Sequence, residues 1–387
     1  MTLRLAKNAE MHEEINKPIF VVGSPRSGTS ILAWCLGYHP NIFPVPESNW
    51  MGDFAVNVAM SYQVGAARGI LSVLSAMRIS RDEFFSHIGR SINSLVLKHR
   101  GDLDRQRLIT AVQRLLKEQG FYLGEVTGEL DAATSAAIRQ YGIAEGLLYS
   151  ELVDSLRTAA SDSEYKTRWV DQTPQYSFYI CGLRKLFPDA LFIHIVRDVS
   201  SVVRSMLNFH RVAGTHLVTN EEEAYRHWLL SVRACLKAEE AYGPHVVYRL
   251  RYPALLENPE SALRSLLGFV GEPYSAKCLE PLAQRINSSN VPDDFTSEDP
   301  ATDPVIIEEA MRLSRDLQHG SQPAEASAAA TAEMEAAFDE RVQYIATLDS
   351  QYQRALQTMQ KMERTAASES DILSNVPNPA NEPIDSI

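Results

Sequence analysis

A glycine-bounded loop, Gly23-Ser-Pro-Arg-Ser-Gly-Thr-Ser30, carries the clearest chemical signal in the sequence. Gly23 and Gly28 allow the backbone to turn so that successive N–H groups point inward. A helix beginning near Thr29 would add its own unpaired N–H groups and the positive end of its dipole. The loop is therefore predicted to hold an anion with phosphate geometry. Its spacing matches the start of a nucleoside-triphosphate loop, but Thr29 stands where such enzymes need lysine, and the positive charge lies at Arg26.

A second set of anion-binding groups follows the apolar run Leu191–Val196. Arg197 stands at the carboxyl end of this run, and Ser205 lies in the second turn of the next predicted helix. Arginine binds phosphate through two parallel hydrogen bonds, and serine adds one donor. Ligands of open α/β sheets bind at the carboxyl ends of the strands, where both loops would converge. Two anion sites are thus predicted, as a nucleotide with 3′ and 5′ phosphates would require.

The elements that would position these loops alternate between strands and helices. Buried strands are predicted at Pro18–Val22, a short continuous apolar run, and at Leu191–Val196 and Val246–Leu250. Helical patterns lie between and beyond them, at Ile31–Tyr38, Ser61–Lys98, Arg105–Gln119, Asp131–Tyr141, Cys181–Phe187, Ser200–Phe209, Asn220–Tyr242 and Glu260–Val270. The alternation predicts an α/β fold with a P-loop-like parallel sheet flanked by helices.

The expected domain organisation has a core in two halves, 1–60 and 161–300, with a helical insert at 61–160. A C-terminal helical extension is expected over 301–367, after an Ala/Ser-rich linker at His319–Ala332. A polar tail at 368–387 is expected to be disordered. In the extension the apolar residues of a heptad seam recur every seventh position, which favours either an amphipathic helix on its own domain or a homodimer contact; they are Phe338, Ile345, Tyr352 and Met359.

Composition limits the classes of partner. The formal net charge of the 387-residue chain is −12, which argues against non-specific binding to nucleic acid or to anionic membranes. The amino terminus has no apolar signal segment, and no apolar run approaches the roughly 20 residues of a membrane span. The cysteines show no metal-ligand spacing, so structural thiols are the favoured interpretation; they are Cys35, Cys181, Cys235 and Cys278. A cytoplasmic protein is expected.

Two of these segments together resemble the donor site of PAPS-dependent sulfotransferases. Pro25–Ser30 is similar to the 5′-phosphosulfate loop of that family, and Ile195–Ser205 is similar to its 3′-phosphate site. Trp169–Pro174 resembles the W-x-x-K-T-P segment. The similarity covers roughly Pro18–Phe54 and Trp169–Val291 and is closest to the bacterial and tyrosylprotein-type branch.

The resemblance implies an enzyme that moves a sulfuryl group from PAPS to a hydroxyl acceptor and releases PAP, without a metal. The acceptor could be a glycan, a lipid, a metabolite or peptidyl tyrosine. The implied 5′-phosphosulfate ligands are Arg26, Ser27, Gly28, Thr29 and Ser30. Arg197 and Ser205 would hold the 3′-phosphate, and Ser288 or Ser289 would close over the donor.

The catalytic residues that the resemblance implies include one departure from the family. Glu47 lies where the tyrosylprotein-type branch keeps its catalytic base, and Asp171 is the second carboxylate candidate. Gln172 replaces the lysine that helps to neutralise the transferring sulfuryl group, so Arg26 carries more of this role or turnover is slow. A catalytically impaired PAPS- or PAP-binding protein of the same fold is therefore the alternative function. His194 is predicted to be a core histidine.

Within the insert, residues 108–156 resemble a peptidoglycan-binding-like repeat. The matching residues lie in two helical patterns and in the glycine-containing turn between them. The module is expected either to cover the acceptor cleft or to dock a glycan or another acceptor.

Overall fold

The computed structural model describes residues 17–145, 165–210, 216–283, 291 and 299–374. The chain divides into two compact units, Met1–Phe338 and Asp339–Ile387. Ser288 and Ser289 lie outside the described residues, as does part of the segment that resembles a peptidoglycan-binding repeat.

A five-stranded parallel sheet forms the centre of the first unit, with strand order β2-β3-β1-β4-β5. The strands are β1 Ile19–Val22, β2 Ile42–Pro44, β3 Arg168–Asp171, β4 Leu191–Val196 and β5 Val247–Arg251. β1 lies between β3 and β4, with Ile19 opposite both Val170 and Leu191. All residues of β1 are buried, which explains its continuous apolar sequence. The predicted α/β class with a parallel sheet is confirmed.

Helices surround the sheet, and their bounds follow chain order. In the first half they are α1 Thr29–Gly37, α2 Met51–Ala66, α3 Val73–Ala76, α4 Arg81–Lys98, α5 Arg105–Glu118 and α6 Ala132–Glu145. In the second half they are α7 Ile180–Leu186, α8 Val199–Leu207, α9 Glu221–Tyr242, α10 Tyr252–Glu257, α11 Pro259–Val270, α12 Glu280–Ala283, α13 Pro304–His319 and α14 Ala328–Ser374. Short 3₁₀ turns lie at Gly69–Leu71, Arg100–Leu103, Pro174–Phe178 and Ala276–Leu279.

The two faces of β1 enter different cores because successive side chains of a strand point to opposite faces. Ile19 and Val21 belong to an apolar cluster that includes Leu32 of α1 and Leu263 of α11. Phe20 lies in an aromatic cluster on the opposite face, stacked on Phe192 at 5.3 Å, edge-on to Trp169 and Tyr176, and tilted against Phe187. Both faces of the sheet are therefore covered, which fixes the carboxyl ends of the strands.

Three features of the fold differ from the sequence-based prediction. Strands β2 and β3 were not predicted because they are short and because Pro44, Arg168 and Asp171 are residues with low strand propensity or charge. The helix predicted over Ser61–Lys98 is divided into parts of α2, α3 and α4 by the turns near Gly69 and Ile79. The predicted linker is shorter than expected, since α14 already begins at Ala328.

Helices α5 and α6 pack around a small apolar cluster of their own, centred on Ile109, Leu116, Tyr122 and Ile138. Gln113 is fully buried and ties α5 to the connection between the helices: its Oε1 accepts from the N–H groups of Thr127 and Gly128, at 2.9 and 2.8 Å. Helices α5 and α6 thus form a small module with an apolar core of its own. Its similarity to a peptidoglycan-binding repeat stays a prediction.

The heptad seam of α14 has two environments. Phe338, in the first unit, is buried with its ring 6.4 Å from that of Phe85. Ile345, Tyr352 and Met359, in the second unit, are exposed. The first seam residue therefore packs within its own domain, and the others present an open apolar stripe.

Candidate active site

In the loop after β1, the backbone adopts conformations that require glycine at positions 23 and 28. Gly23 has φ 145° and Gly28 has φ 104°, conformations that residues with a side chain rarely adopt. A Cβ at Gly28 would lie 2.6 Å from the Tyr252 ring, and one at Gly23 would lie 2.6 Å from the carbonyl oxygen of Ile195. Arg26 itself has φ 69°, so the loop turns sharply at its only cation. α1 begins directly after Gly28, as predicted.

Ser177 fixes the start of this loop, although the sequence analysis did not single it out. The N–H group of Gly23 donates to Ser177 Oγ at 2.9 Å, and this hydroxyl lies 2.7 Å from the carbonyl oxygen of Pro174. Ser177 is buried in the 3₁₀ turn that follows β3. The segment after β3 thus supports the anion loop after β1, and its place just past the Thr-Pro pair is the one signal that could have identified it.

Arg26, Arg197 and Ser205 lie together. Arg26 Nε donates to Ser205 Oγ at 3.2 Å, and Arg197 Nη1 donates to the carbonyl oxygen of Arg26 at 3.2 Å. The loop after β1 and the loop after β4 are therefore joined by direct hydrogen bonds, with both guanidinium groups at the junction. This is the convergence that the sheet topology predicted for neighbouring strands.

Aromatic rings orient both guanidinium groups. Arg26 lies 5.0 Å above the Phe209 ring, and Arg197 lies 4.8 Å above the Tyr252 ring. Such stacking is attractive and holds the planar guanidinium in one orientation. Phe209 lies just past the end of α8 and Tyr252 begins α10, so only the fold brings each ring beside its arginine.

Glu47 lies in the loop between β2 and α2, at the same edge of the sheet. It is partly exposed. The next residue attaches this loop to β3, because the N–H group of Ser48 donates to Thr173 Oγ1 at 3.0 Å. Glu47 is therefore placed near the carboxyl end of β3, where Asp171 is the last residue of the strand and Gln172 follows it.

A chain of buried polar groups holds the Glu47 loop in place. The carboxylate of Asp171 accepts from Thr173 N at 2.8 Å and from Thr173 Oγ1 at 2.6 Å. Tyr176 Oη accepts from Met51 N at 3.0 Å and also contacts Ser48 Oγ. Burial raises the pKa of Asp171 to about 6, although hydrogen bonds from Thr173 and Ser48 oppose the shift. Asp171 is fully buried, which suits a supporting role better than that of a base.

Gln172 is fully buried, and neither its amide nitrogen nor its amide oxygen has a hydrogen-bond partner within the described residues. A buried polar group left unpaired costs about 1–3 kcal/mol. Gln172 directly follows β3, which pairs with β1, the strand that leads into the anion loop. A bound ligand at this edge could supply the missing partner, so the position suits contact with a substrate.

The remaining candidates have structural environments. His194 is buried in mid-strand with Nδ1 2.6 Å from Glu239 Oε1. Burial would lower the pKa of His194, but Cys235 and Glu239 together raise it to about 9. All four cysteines are free and buried, which confirms their structural interpretation. Across the described residues there is no cluster of three or more His, Cys, Asp or Glu side chains suited to a metal ion.

The sequence model of the sulfotransferase family matches residues 92–276. Over that span the chain is similar to the sulfotransferase family. The matched span includes β3, β4 and the Arg197 site, and it also covers α5 and α6 of the helical insert. The loop at Gly23–Ser30 lies before it, so its assignment rests on the geometry above.

Curated relatives match only parts of the chain. An uncharacterized protein of Aquifex aeolicus is 24% identical over 266 residues, which are 68% of this chain and 26% of that protein. The omega-hydroxy-beta-dihydromenaquinone-9 sulfotransferase Stf3 of Mycobacterium bovis is 33% identical over 107 residues, 26% of this chain and 28% of that protein. The match thus spans little more than a quarter of either relative.

Solved structures with a related chain trace include sulfotransferases. The sulfotransferase domain of the Synechococcus PCC 7002 olefin synthase covers 84% of this chain and 95% of its own, at 19% identity and a TM-score of 0.37. Sulfotransferase STF9 of Mycobacterium avium covers 84% of this chain and 82% of its own, at 17% identity and a TM-score of 0.36. These scores are too low to carry any conclusion about activity.

Proposed function

We propose that the chain is a sulfotransferase that moves a sulfuryl group from PAPS to a hydroxyl acceptor. The observation that carries this proposal is the junction at which Arg26 Nε meets Ser205 Oγ and Arg197 Nη1 meets the carbonyl oxygen of Arg26, each at 3.2 Å. A donor with phosphate groups at its 5′ and 3′ ends needs two cationic sites on adjoining loops. The position of Arg26 and Arg197 satisfies that requirement, and the family match over 92–276 supports it.

The donor would lie along the carboxyl edge of the sheet. The 5′-phosphosulfate would contact the turn after β1 and the N-terminus of α1, through Arg26, Ser27, Gly28, Thr29 and Ser30. Arg197 and Ser205 would hold the 3′-phosphate. Ser288 and Ser289 stay predicted contacts. The left-handed Gly28, closed off by the Tyr252 ring, favours this use because it keeps side-chain atoms out of the loop.

Sulfuryl transfer at this site would be an in-line displacement without a metal. The acceptor oxygen bonds to sulfur as the bond from sulfur to the bridging phosphate oxygen breaks, and PAP departs with that electron pair. Glu47 takes the acceptor proton, a role that contributes about 10²–10⁴-fold. Arg26 and the amide of Gln172 stabilise the negative charge that develops on the leaving oxygen.

The acceptor class is the least constrained part of the proposal, and it includes glycans, lipids, metabolites and peptidyl tyrosine. One relative is named as a sulfotransferase of a hydroxylated menaquinone, which favours testing lipid alcohols first. The helical module of α5 and α6 would cover or dock the acceptor. A cytoplasmic location fits the proposed donor, which is made there.

We also propose a homodimer through the exposed stripe of α14. Ile345, Tyr352 and Met359 are each exposed and share one heptad position. Sedimentation velocity of the full chain should show a dimer that Tyr352→Asp dissociates. A monomer at all concentrations would contradict it.

The direct test incubates the protein with ³⁵S-labelled PAPS and a panel of hydroxyl acceptors in the presence of EDTA. We expect transfer of label that Glu47→Gln abolishes while PAP binding is retained. Asp53→Asn is a suitable control, because Asp53 lies in the first turn of α2 and its Oδ1 accepts a hydrogen bond from Tyr179 Oη at 2.8 Å. Loss of transfer in EDTA, or equal loss in both variants, would contradict the proposal.

The second candidate function is a PAPS- or PAP-binding protein without turnover. The uncharged Gln172 in the place of the family lysine favours it, because the amide supplies no positive charge to the transferring group. Tight PAP binding with no label transfer to any acceptor would support this candidate over the first.

A further inference from the structure

An exposed apolar tip lies between α2 and α4. We define the α2–α3 tip as residues 64–77, which comprise the end of α2, the 3₁₀ turn Gly69–Leu71 and the short helix α3. Its large apolar side chains are between 66% and 84% exposed; they are Val64, Ile70, Leu71, Val73 and Met77. Such a concentration of exposed apolar surface in 14 consecutive residues marks an interaction site.

Contacts within the tip hold its backbone in place, so the exposure of its apolar side chains does not result from a loosely packed segment. Leu74 packs onto Gly65, where a Cβ would come within 2.6 Å of its side chain. Ser72 Oγ accepts from Arg68 N at 2.6 Å, and Tyr62 Oη donates to the carbonyl oxygen of Ile79 at 3.1 Å. Inward-facing contacts thus fix the turn, and a separate set of apolar side chains points to solvent.

The charge around the tip differs from that of the whole chain. Residues 54–80 contain Arg68 and Arg78 and no Asp or Glu, whereas the chain carries a net charge of −12. Both arginines are exposed. The nearest acidic residues on the carboxyl side, Asp82 and Glu83, lie in the first turn of α4. The tip therefore presents apolar side chains flanked by positive charge.

We infer that the α2–α3 tip docks onto the surface of a bilayer that contains anionic lipid. Apolar side chains flanked by arginines suit insertion to the depth of the headgroups, because arginine extends its charge to the phosphates while its stem stays in the apolar region. Among the helices of the described part, none combines the length and apolar character needed to cross a membrane. The contact is thus interfacial.

Vesicle co-sedimentation of the full chain tests this inference. The wild-type protein should bind vesicles of phosphatidylcholine and phosphatidylglycerol. The triple variant Ile70→Ser/Leu71→Ser/Met77→Ser should bind more than about 100-fold more weakly, because serine side chains, unlike the apolar ones they replace, do not transfer favourably from water into the bilayer. Arg68→Gln/Arg78→Gln should lower affinity about 30-fold at low salt, with little effect on pure phosphatidylcholine vesicles.

A matched control replaces equally exposed apolar residues elsewhere: Leu123→Ser/Leu256→Ser/Val305→Ser. It should bind vesicles as the wild type does, and unchanged PAP affinity in each variant would show that the fold is intact. Absence of vesicle binding by the wild type, or equal binding by the triple variant, would overturn the inference. Sedimentation velocity in which the tip substitutions convert a dimer to a monomer would overturn it in favour of a second copy. None of these outcomes depends on sulfuryl transfer.

Discussion

The side of the candidate site that we propose binds the donor and the side that we propose binds the acceptor are built differently; they are called the donor side and the acceptor side below. On the donor side, the loops after β1 and β4 are already joined through Arg26, Arg197 and Ser205, and aromatic rings orient both arginines. On the acceptor side, Glu47 is partly exposed and the buried amide of Gln172 has no partner among the described residues. The difference suggests that nucleotide binding is prepared in the free protein, whereas the reacting end is completed by its ligands.

The largest effect is expected from a substitution that impairs the acceptor side alone. Glu47→Gln should lower kcat by about 10²–10⁴-fold, because the acceptor proton then has no base. PAP affinity should stay within about twofold of the wild type, since the donor side is untouched. Single-turnover transfer from ³⁵S-labelled PAPS and calorimetric PAP titration measure the two quantities. An equal loss of PAP binding would contradict the separation between the donor side and the acceptor side.

The second largest effect is expected from a substitution that impairs the donor side alone. Arg197→Ala should weaken PAP binding about 100-fold, because a charged hydrogen-bonded contact to phosphate is lost. Arg251→Ala is the matched control, since Arg251 ends the neighbouring strand β5 and donates to the carbonyl oxygen of Gly320 at 2.8 Å. Isothermal titration should find the control close to wild type, and comparable losses in both variants would refute a specific role for Arg197.

A third effect concerns the buried support of the Glu47 loop. Because burial raises the pKa of Asp171 from 3.8 to about 6, the folded protein keeps this proton where the unfolded chain releases it. Asp171 therefore costs stability progressively as pH rises from about 4 to about 6, by roughly 1–3 kcal/mol in all.

Asp171→Asn, which keeps an acceptor for Thr173, should remove that dependence. Urea unfolding of the wild type and the variant at pH 4 and pH 7 measures the difference between their unfolding free energies at each pH. A stability difference that is the same at both pH values would contradict the assigned burial effect.

The smallest effect sharpens the comparison at Gln172. Gln172→Lys should raise kcat severalfold, up to about tenfold, since it adds positive charge beside the transferring group. It should also lower the melting temperature of the free protein, because the new ammonium group is buried. Gln172→Met controls for the change in volume. Unchanged kcat in the lysine variant would mean that this position lies outside the reacting region.

The sequence predicted the donor side better than the acceptor side for a physical reason. A phosphate loop is a local object, so Gly23, Gly28 and Arg26 reveal it through their spacing. The network under Glu47 is not local, because Ser48, Thr173 and Tyr176 meet only when β2 and β3 pair. The same holds for Ser177, which supports Gly23 across 154 positions of the chain. Strands β2 and β3 themselves were missed because their sequences contain proline or charge.

The most direct test of the central claim compares the affinities of PAP and 5′-AMP, which differ by the 3′-phosphate, for the wild type and for Arg197→Ala. The wild type should prefer PAP by about 10–100-fold, and the variant should lose that preference while it binds 5′-AMP almost normally. The converse pair, 3′-AMP against PAP, should lose its difference in Arg26→Ala. If Arg197→Ala keeps the full preference for PAP, the two arginines do not hold opposite ends of one nucleotide, and the assignment of the donor site is wrong.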